Sequence, residues 1–180
     1  MLGVPQVITI SGRGLSKTDL DVINQSRIRE FGSETLINPQ PDNEDWKRLH
    51  FLVKSKGKLL SYGRLIEVEV TFMGRSFKIL GIGSIASIIK RKGYGKLLVL
   101  AIKEHIKKTK KTGLGFCNKD TTEFYRQCGL GIMADGKKRF EPGSTRFPEG
   151  DAVYIPGDDQ LIEKILQQPG EVAHLSRPQW

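Results

Sequence analysis

The chain has 180 residues, 38% of them hydrophobic and 27% charged, which is the composition of a globular protein with room for one sizeable core. No stretch reaches roughly 18 uninterrupted apolar residues, so nothing suggests secretion or a membrane span, and the sparse cysteines make a reduced cytoplasm the expected location. A net charge of +9 favours anionic partners such as phosphates, nucleic acid or acidic protein surfaces. The two cysteines, Cys117 and Cys128, have neither a C-x-x-C spacing nor a nearby pair of histidines, so no structural metal is expected.

The segment "QVITIS" (6–11) is β-rich and is ended by Gly12 and Gly14. A helix signal follows: Ser16 and Asp19 have capping-box spacing, Leu20, Ile23 and Ile28 mark an apolar face, and Gly32 terminates it. "SETLINPQPDNEDW" reads as loop. From Leu49 the period changes to two: "LHFLVKS", a turn at Lys56-Gly57, "KLLSYGRLIEVEVTF", a turn at Met73-Gly74-Arg75, and "SFKILGIGSIASI" predict an antiparallel meander. Gly81 and Gly83 fall inside the third strand, where glycine marks a bulge or the close approach of another backbone or a ligand. Gly95 to Lys111 carries an apolar stripe of Leu97, Leu98, Ala101, Ile102 and Ile106 opposite lysines and predicts a helix. "GLGFC" predicts a strand, and "DTTEFYRQC" a short helix opened by Asp120 and Glu123 and closed by Gly129. Two strands, "LGIMAD" and "DAVYIP", are separated by a loop holding Pro142, Gly143, Pro148 and Gly150, and "DDQLIEKILQQ" predicts a last helix before a tail. This order predicts an α/β protein around a mixed sheet, one domain over residues 1–180 with a C-terminal helix and tail over 157–180.

The junction "IIKRKGYGKLL" (88–98) carries the chemistry. A strand that runs through a glycine turn into a helix brings free backbone N–H groups and the positive end of the helix dipole to one point, which favours an anion. Gly93 and Gly95 allow close backbone approach, and Lys90, Arg91, Lys92 and Lys96 add positive charge. By itself the turn suits a phosphate, a nucleic acid or plain solvation.

The pattern Lys90-x-x-Gly93-x-Gly95, the glycine-containing strand before it, the amphipathic helix after it and "FYRQCGL" (124–130) together resemble the acetyl-CoA-binding core of the GCN5-related N-acetyltransferase (GNAT) superfamily, over roughly residues 49–130. The family has Arg or Gln where this chain has Lys90. The resemblance implies a GNAT-like fold, a mixed, mostly antiparallel central sheet flanked by helices. It implies acetyl-CoA as co-substrate, no metal, and direct acyl transfer to an amine in a ternary complex. Lys90, Arg91, Lys92, Gly93, Tyr94, Gly95 and Lys96 would hold the pyrophosphate, and Gly83, Ser84 and Ile85 the pantetheine arm, with their amides as oxyanion donors. Tyr125 would protonate the leaving thiolate, and Cys117 and Cys128 would be core residues rather than nucleophiles.

From His50 onward, "HFLVKSKGKLLSYGRLIEVEV", "FMGRSFKILGIGSIAS", "STRFPEGDAVYIPGDD" and Trp180 resemble the aminoglycoside 2′-N-acetyltransferases. This implies an acceptor site at Gly81, Cys117, Asp151 and Trp180. Two departures are visible: Gly81 stands where that branch has a glutamate, and the tail "HLSRPQW" carries Arg177 but no carboxylate side chain. The expected partner is a small-molecule amine, with a homodimer left open and neither membrane nor nucleic acid involved. Three alternatives stay open: a protein or peptide amine as acceptor, an acyl-CoA-binding protein without catalysis, and a nucleic-acid-binding domain using Lys90–Lys96 and Lys103–Lys111. The last lacks the aromatic residues that base stacking would use.

Overall fold

The computed structural model describes residues 3–32, 36–41, 43–143 and 148–180. In chain order the elements are β1 (Gln6–Ser11), α1 (Lys17–Phe31), α2 (Glu44–Lys47), β2 (Leu49–Ser55), β3 (Lys58–Phe72), β4 (Arg75–Ser87), α3 (Tyr94–Thr109), β5 (Gly113–Cys117), α4 (Thr122–Gln127), β6 (Gly131–Met133), β7 (Phe140–Glu141), β8 (Asp151–Ile155), α5 (Leu161–Gln167) and β9 (Ala173–Leu175). Hydrogen-bonded neighbours run β1-β2-β3-β4-β5-β8-β6, and β9 pairs with β3 and β7. Pairing is antiparallel for β1–β2, β2–β3, β3–β9, β5–β8 and β6–β8, and parallel for β4–β5 and β7–β9. No helix among the described residues is long and apolar enough to cross a membrane.

The chain divides into two compact units, the first formed by the chain up to Leu65 with Ser84–Ala101, the second by Ile66–Gly83 with Ile102–Trp180. In the first unit, Ser16 caps α1 by accepting from the Asp19 amide at 3.1 Å. Both Asp19 carboxylate oxygens accept from Lys54 Nζ at 2.8 Å, which ties α1 to β2. Ile23, Ile37, Leu52, Leu59 and Tyr62 form this unit's core. The apolar face of α1 differs from expectation: Ile28 is 47% exposed, while Arg27 is turned inward at 5%. The segment read as loop contains one helical turn, α2, capped by Asn43 accepting from the Trp46 amide at 3.2 Å; positions 33–35 and 42 of it lie outside the described residues. The turn between β2 and β3 holds Lys56 and Gly57 at φ 47° and 76°, the left-handed pair that a two-residue hairpin needs.

In the second unit, alternate β3 residues Ile66, Val68, Val70 and Phe72 join Leu114, Phe140, Leu161 and Ile165 in a buried core. Helix α4 is preceded by a 3-10 turn at Lys119–Thr121 and has no side-chain cap, so the Asp120–Glu123 capping expectation fails, because Asp120 falls inside that turn. Gly129, at φ 73°, ends α4 as expected, its amide donating to Arg126 O at 2.8 Å. The tail is not bare: β9 pairs Val70 with Leu175 and Thr71 with His174, an edge pairing whose partner lies about a hundred residues away and leaves no local signal. Residues 144–147, part of the stretch carrying the longer resemblance, lie outside the described residues.

Candidate functional site

In the first unit, the run from Ser84 to Lys96 is where strand, turn and helix meet. Ser84 sits at φ 58°, a left-handed conformation inside β4, and its Oγ accepts from Arg27 Nη1. Ser61 Oγ donates to Ala86 O at 3.0 Å, and the Ile88 and Ile89 amides both reach Leu60 O, at 2.9 and 3.2 Å. The turn then takes two more left-handed residues, Arg91 at φ 60° and Gly93 at φ 78°. Left-handed residues among right-handed ones curl successive amides toward one side, the geometry of an anion-binding nest. The first bond closed by α3 runs from Leu97 N to Gly93 O at 3.1 Å, so the amides of Tyr94, Gly95 and Lys96 have no acceptor within the helix. A Cβ built on Gly93 would meet nothing within 4 Å, so the space beside this backbone is open. Lys90, Arg91, Lys92 and Lys96 are exposed around it. Lys90 Nζ lies 2.9 Å from Glu30 Oε1, a half-open pair that salt would screen.

In the second unit, the β4–β5 ladder pairs Leu80 with Gly113, Gly81 with Leu114 and Ile82 with Gly115, and there it ends. β5 continues alone against β8, through Phe116–Ala152 and Cys117–Asp151. At the last rung the Trp180 indole donates to Ile82 O at 3.0 Å, and its ring meets Phe116 edge-on with centroids 5.4 Å apart. The strand glycines answer to this ring: a Cβ on Gly81 would lie 2.5 Å from it and one on Gly83 2.8 Å. Gly81 and Trp180, both expected at the acceptor site, are thus brought together. Gln179 fixes the tail by donating to Lys137 O at 2.9 Å and Phe140 O at 3.0 Å.

Asp151, one rung beyond the Phe116–Ala152 pair, faces inward. It is 6% exposed, and it accepts from Thr122 Oγ1 at 2.5 Å and the Asp135 amide at 2.9 Å. Cys117 is buried beside it, with Sγ 3.7 Å from Thr122 Oγ1, and burial pushes its thiol above the ordinary range. A neutral buried thiol is a core group rather than a nucleophile. Lys137, which no sequence signal singled out, is buried here and its Nζ donates to Glu149 O at 3.1 Å. Tyr125 lies half-buried on α4, edge-on to Phe124 at 5.1 Å, and burial holds its phenol above the ordinary tyrosine value. Glu67 and Glu69 are both exposed on β3; Glu69 accepts from Ser76 Oγ and Glu67 lies 3.7 Å from Lys111. No group of three or more His, Cys, Asp or Glu side chains among the described residues is placed to hold a metal ion.

Two arrangements in the first unit escaped sequence reading. His50 and Tyr62 are wholly buried with Nδ1 and Oη 3.1 Å apart, and Arg27 reaches Ser84 across 57 positions. The one available signal was that Arg27 stands four residues after Ile23, on the face that should be apolar.

No protein-family profile matches the chain, and no curated protein matches its sequence. Solved structures do match. Escherichia coli ElaA superposes with a TM-score of 0.56 at 15% identity, covering 84% of this chain and 97% of that one. The Bacillus subtilis N-acetyltransferase YlbP, in complex with coenzyme A, gives 0.55 at 15% identity over 86% and 98%. The catalytic domain of the Tetrahymena GCN5 histone acetyltransferase, also with coenzyme A, gives 0.57 at 11% identity over 87% and 95%. At such identities the likeness is one of fold: the mixed, mostly antiparallel sheet flanked by helices expected from the GNAT resemblance is the one this chain adopts.

Proposed function

We propose that the protein is an acetyl-CoA-dependent N-acetyltransferase that acetylates a primary amine of a small molecule. The observation that carries this is the continuous run in the first unit from the left-handed Ser84, through Arg91 and Gly93, to the unbonded amides of Tyr94–Lys96. Open space beside Gly93, converging amides and surrounding cations fit a pyrophosphate. Gly83, Ser84 and Ile85 are proposed to pair with the pantetheine arm, and the Ser84 and Ile85 amides to donate to the acyl oxygen as it gains charge. Acetyl-CoA supplies the thioester whose acyl carbon the neutral acceptor nitrogen attacks. As the C–S bond breaks, Tyr125 is proposed to give its phenolic proton to the departing thiolate, while the nitrogen now bonded to the acyl carbon releases one proton to solvent, and solvent returns one to Tyr125. A phenol held above its ordinary pKa keeps that proton throughout the physiological range.

Within small amines, aminoglycosides are the first acceptors to test, supported by the longer resemblance and by Trp180 seated on Gly81 and Gly83. The net charge of +9 and the inward Asp151 argue for a less cationic acceptor. That same charge favours the second reading, an amine on an acidic peptide or protein. The test is calorimetric titration with acetyl-CoA at two salt concentrations, then thiol release against a panel of aminoglycosides, simple amines and acidic peptides. Micromolar binding with turnover supports the proposal and names the acceptor class, binding without turnover on any amine leaves an acyl-CoA-binding protein, and absence of binding overturns the reading.

A further inference from the structure

On α1, Leu20 and Ile23 face the core and the helical period brings position 27 to the same side, where an apolar residue would stabilise the unit most. Arg27 stands there instead, 5% exposed. Burial, and then the nearby Arg64 charge, pull its guanidinium down to about 10 from its ordinary value, a sign of how unfavourable the place is for a cation. Its Nη1 donates to Ser84 Oγ. Ser84 is itself costly, since a non-glycine residue at φ 58° gives up roughly 1–2 kcal/mol. The helix that carries Arg27 is held firmly. Lys54 anchors Asp19, and Asn24 both donates to Ile37 O and accepts from Ile37 N at 2.8 Å. An arginine turned inward on a fixed helix and a left-handed serine, joined by a hydrogen bond, mark a conformation that local preference alone would not choose.

We propose that Arg27 is a positioning residue: by holding Ser84 in its left-handed conformation it aims the Ser84 and Ile85 amides at the acyl carbonyl of the bound thioester. This rests on the function proposed above. Arg27 acts through the backbone of β4 and touches no reacting atom. The inference therefore predicts that Arg27 matters to the acetyl group and not to the rest of the cofactor.

The test is calorimetry on the full chain with two ligands, acetyl-CoA and coenzyme A, for the wild type, Arg27→Met, Ser84→Gly and the double variant. Arg27→Met weakens acetyl-CoA about fivefold, the worth of one well-placed hydrogen bond, and coenzyme A less than about twofold. In the Ser84→Gly background the same substitution changes acetyl-CoA affinity by less than about twofold, because glycine adopts a positive φ without being held. Equal losses for both ligands, or the same loss in both backgrounds, overturn the inference. If Arg27→Met does not fold by circular dichroism, Arg27→Lys is measured against the same two criteria. A wild type that binds neither ligand overturns the proposed function and this inference with it, whereas intact wild-type binding with the wrong variant pattern overturns the inference alone.

Discussion

Gly81→Ala tests whether the strand glycines exist to receive the Trp180 ring. The new Cβ would lie 2.5 Å from the indole, and carbon atoms settle at about 3.5–4.0 Å, so the ring must retreat by about 1 Å. That stretches the 3.0 Å bond from Nε1 to Ile82 O beyond hydrogen-bonding distance, a loss of about 1 kcal/mol. It also loosens the edge contact with Phe116, worth about 0.5–1.5 kcal/mol. Against this, alanine is better than glycine in a strand by roughly 0.5–1 kcal/mol. The balance is a destabilisation of about 0.5–2 kcal/mol in the wild type. In a Trp180→Ala background the three atoms nearest the new Cβ are gone, so Gly81→Ala should become stabilising by roughly 0.5 kcal/mol. Urea unfolding followed by far-ultraviolet circular dichroism measures all four chains without depending on the tryptophan signal. The same shift in both backgrounds, or a stabilised single variant, would refute the claim that the glycine and the indole fit one another.

Gly93→Glu should weaken coenzyme A binding at least about a hundredfold by calorimetry, while Gly93→Ala, which brings the strain of φ 78° but no charge, costs much less; equal effects would show that backbone strain alone is responsible. Tyr125→Phe should lower turnover by about a hundredfold with acetyl-CoA affinity unchanged within about twofold, and a fully active variant would remove its acid role. Stability should fall in acid through His50, whose folded pKa is lowered to about 4, by burial first and then by Arg64. The unfolded state takes up a proton near pH 6.5 and the folded state does not. Stability is therefore whole above about pH 6.5 and about 3 kcal/mol lower by pH 4. His50→Gln should flatten that limb in urea titrations at pH 7 and 4.5, and an unchanged slope would rule His50 out as its source.

What the sequence by itself determined are the features whose cause is local. In the left-handed pairs Lys56-Gly57 and Met73-Gly74 the glycine takes its positive φ without a Cβ penalty, which marks a tight turn at each place from the local sequence alone. Ser16 caps α1 through an amide three residues away, and Gly129 ends α4 for the same short-range reason. The period-two run of β3 assigns its two faces, with Glu67 and Glu69 outward and Val68 and Val70 inward. The junction around Gly93 was legible because a strand, a glycine turn and a helix in succession leave the same amides unbonded in any fold.

Only the tertiary structure decided the rest, because each remaining feature depends on a partner far along the chain. The glycines of β4 read equally well as room for a ligand or for protein, and Trp180, almost a hundred positions away, is what lies against them. Asp151 reads as a carboxylate available to an amine, yet Thr122 and the Asp135 amide take it inward. The expectation that Ile28 would be buried failed because helical periodicity counts apolar residues and cannot see that Ser84 offers an arginine a partner. Dihedral and capping preferences act over a few residues and are written wherever those residues stand, whereas who fills a given space is settled only when distant segments pack together.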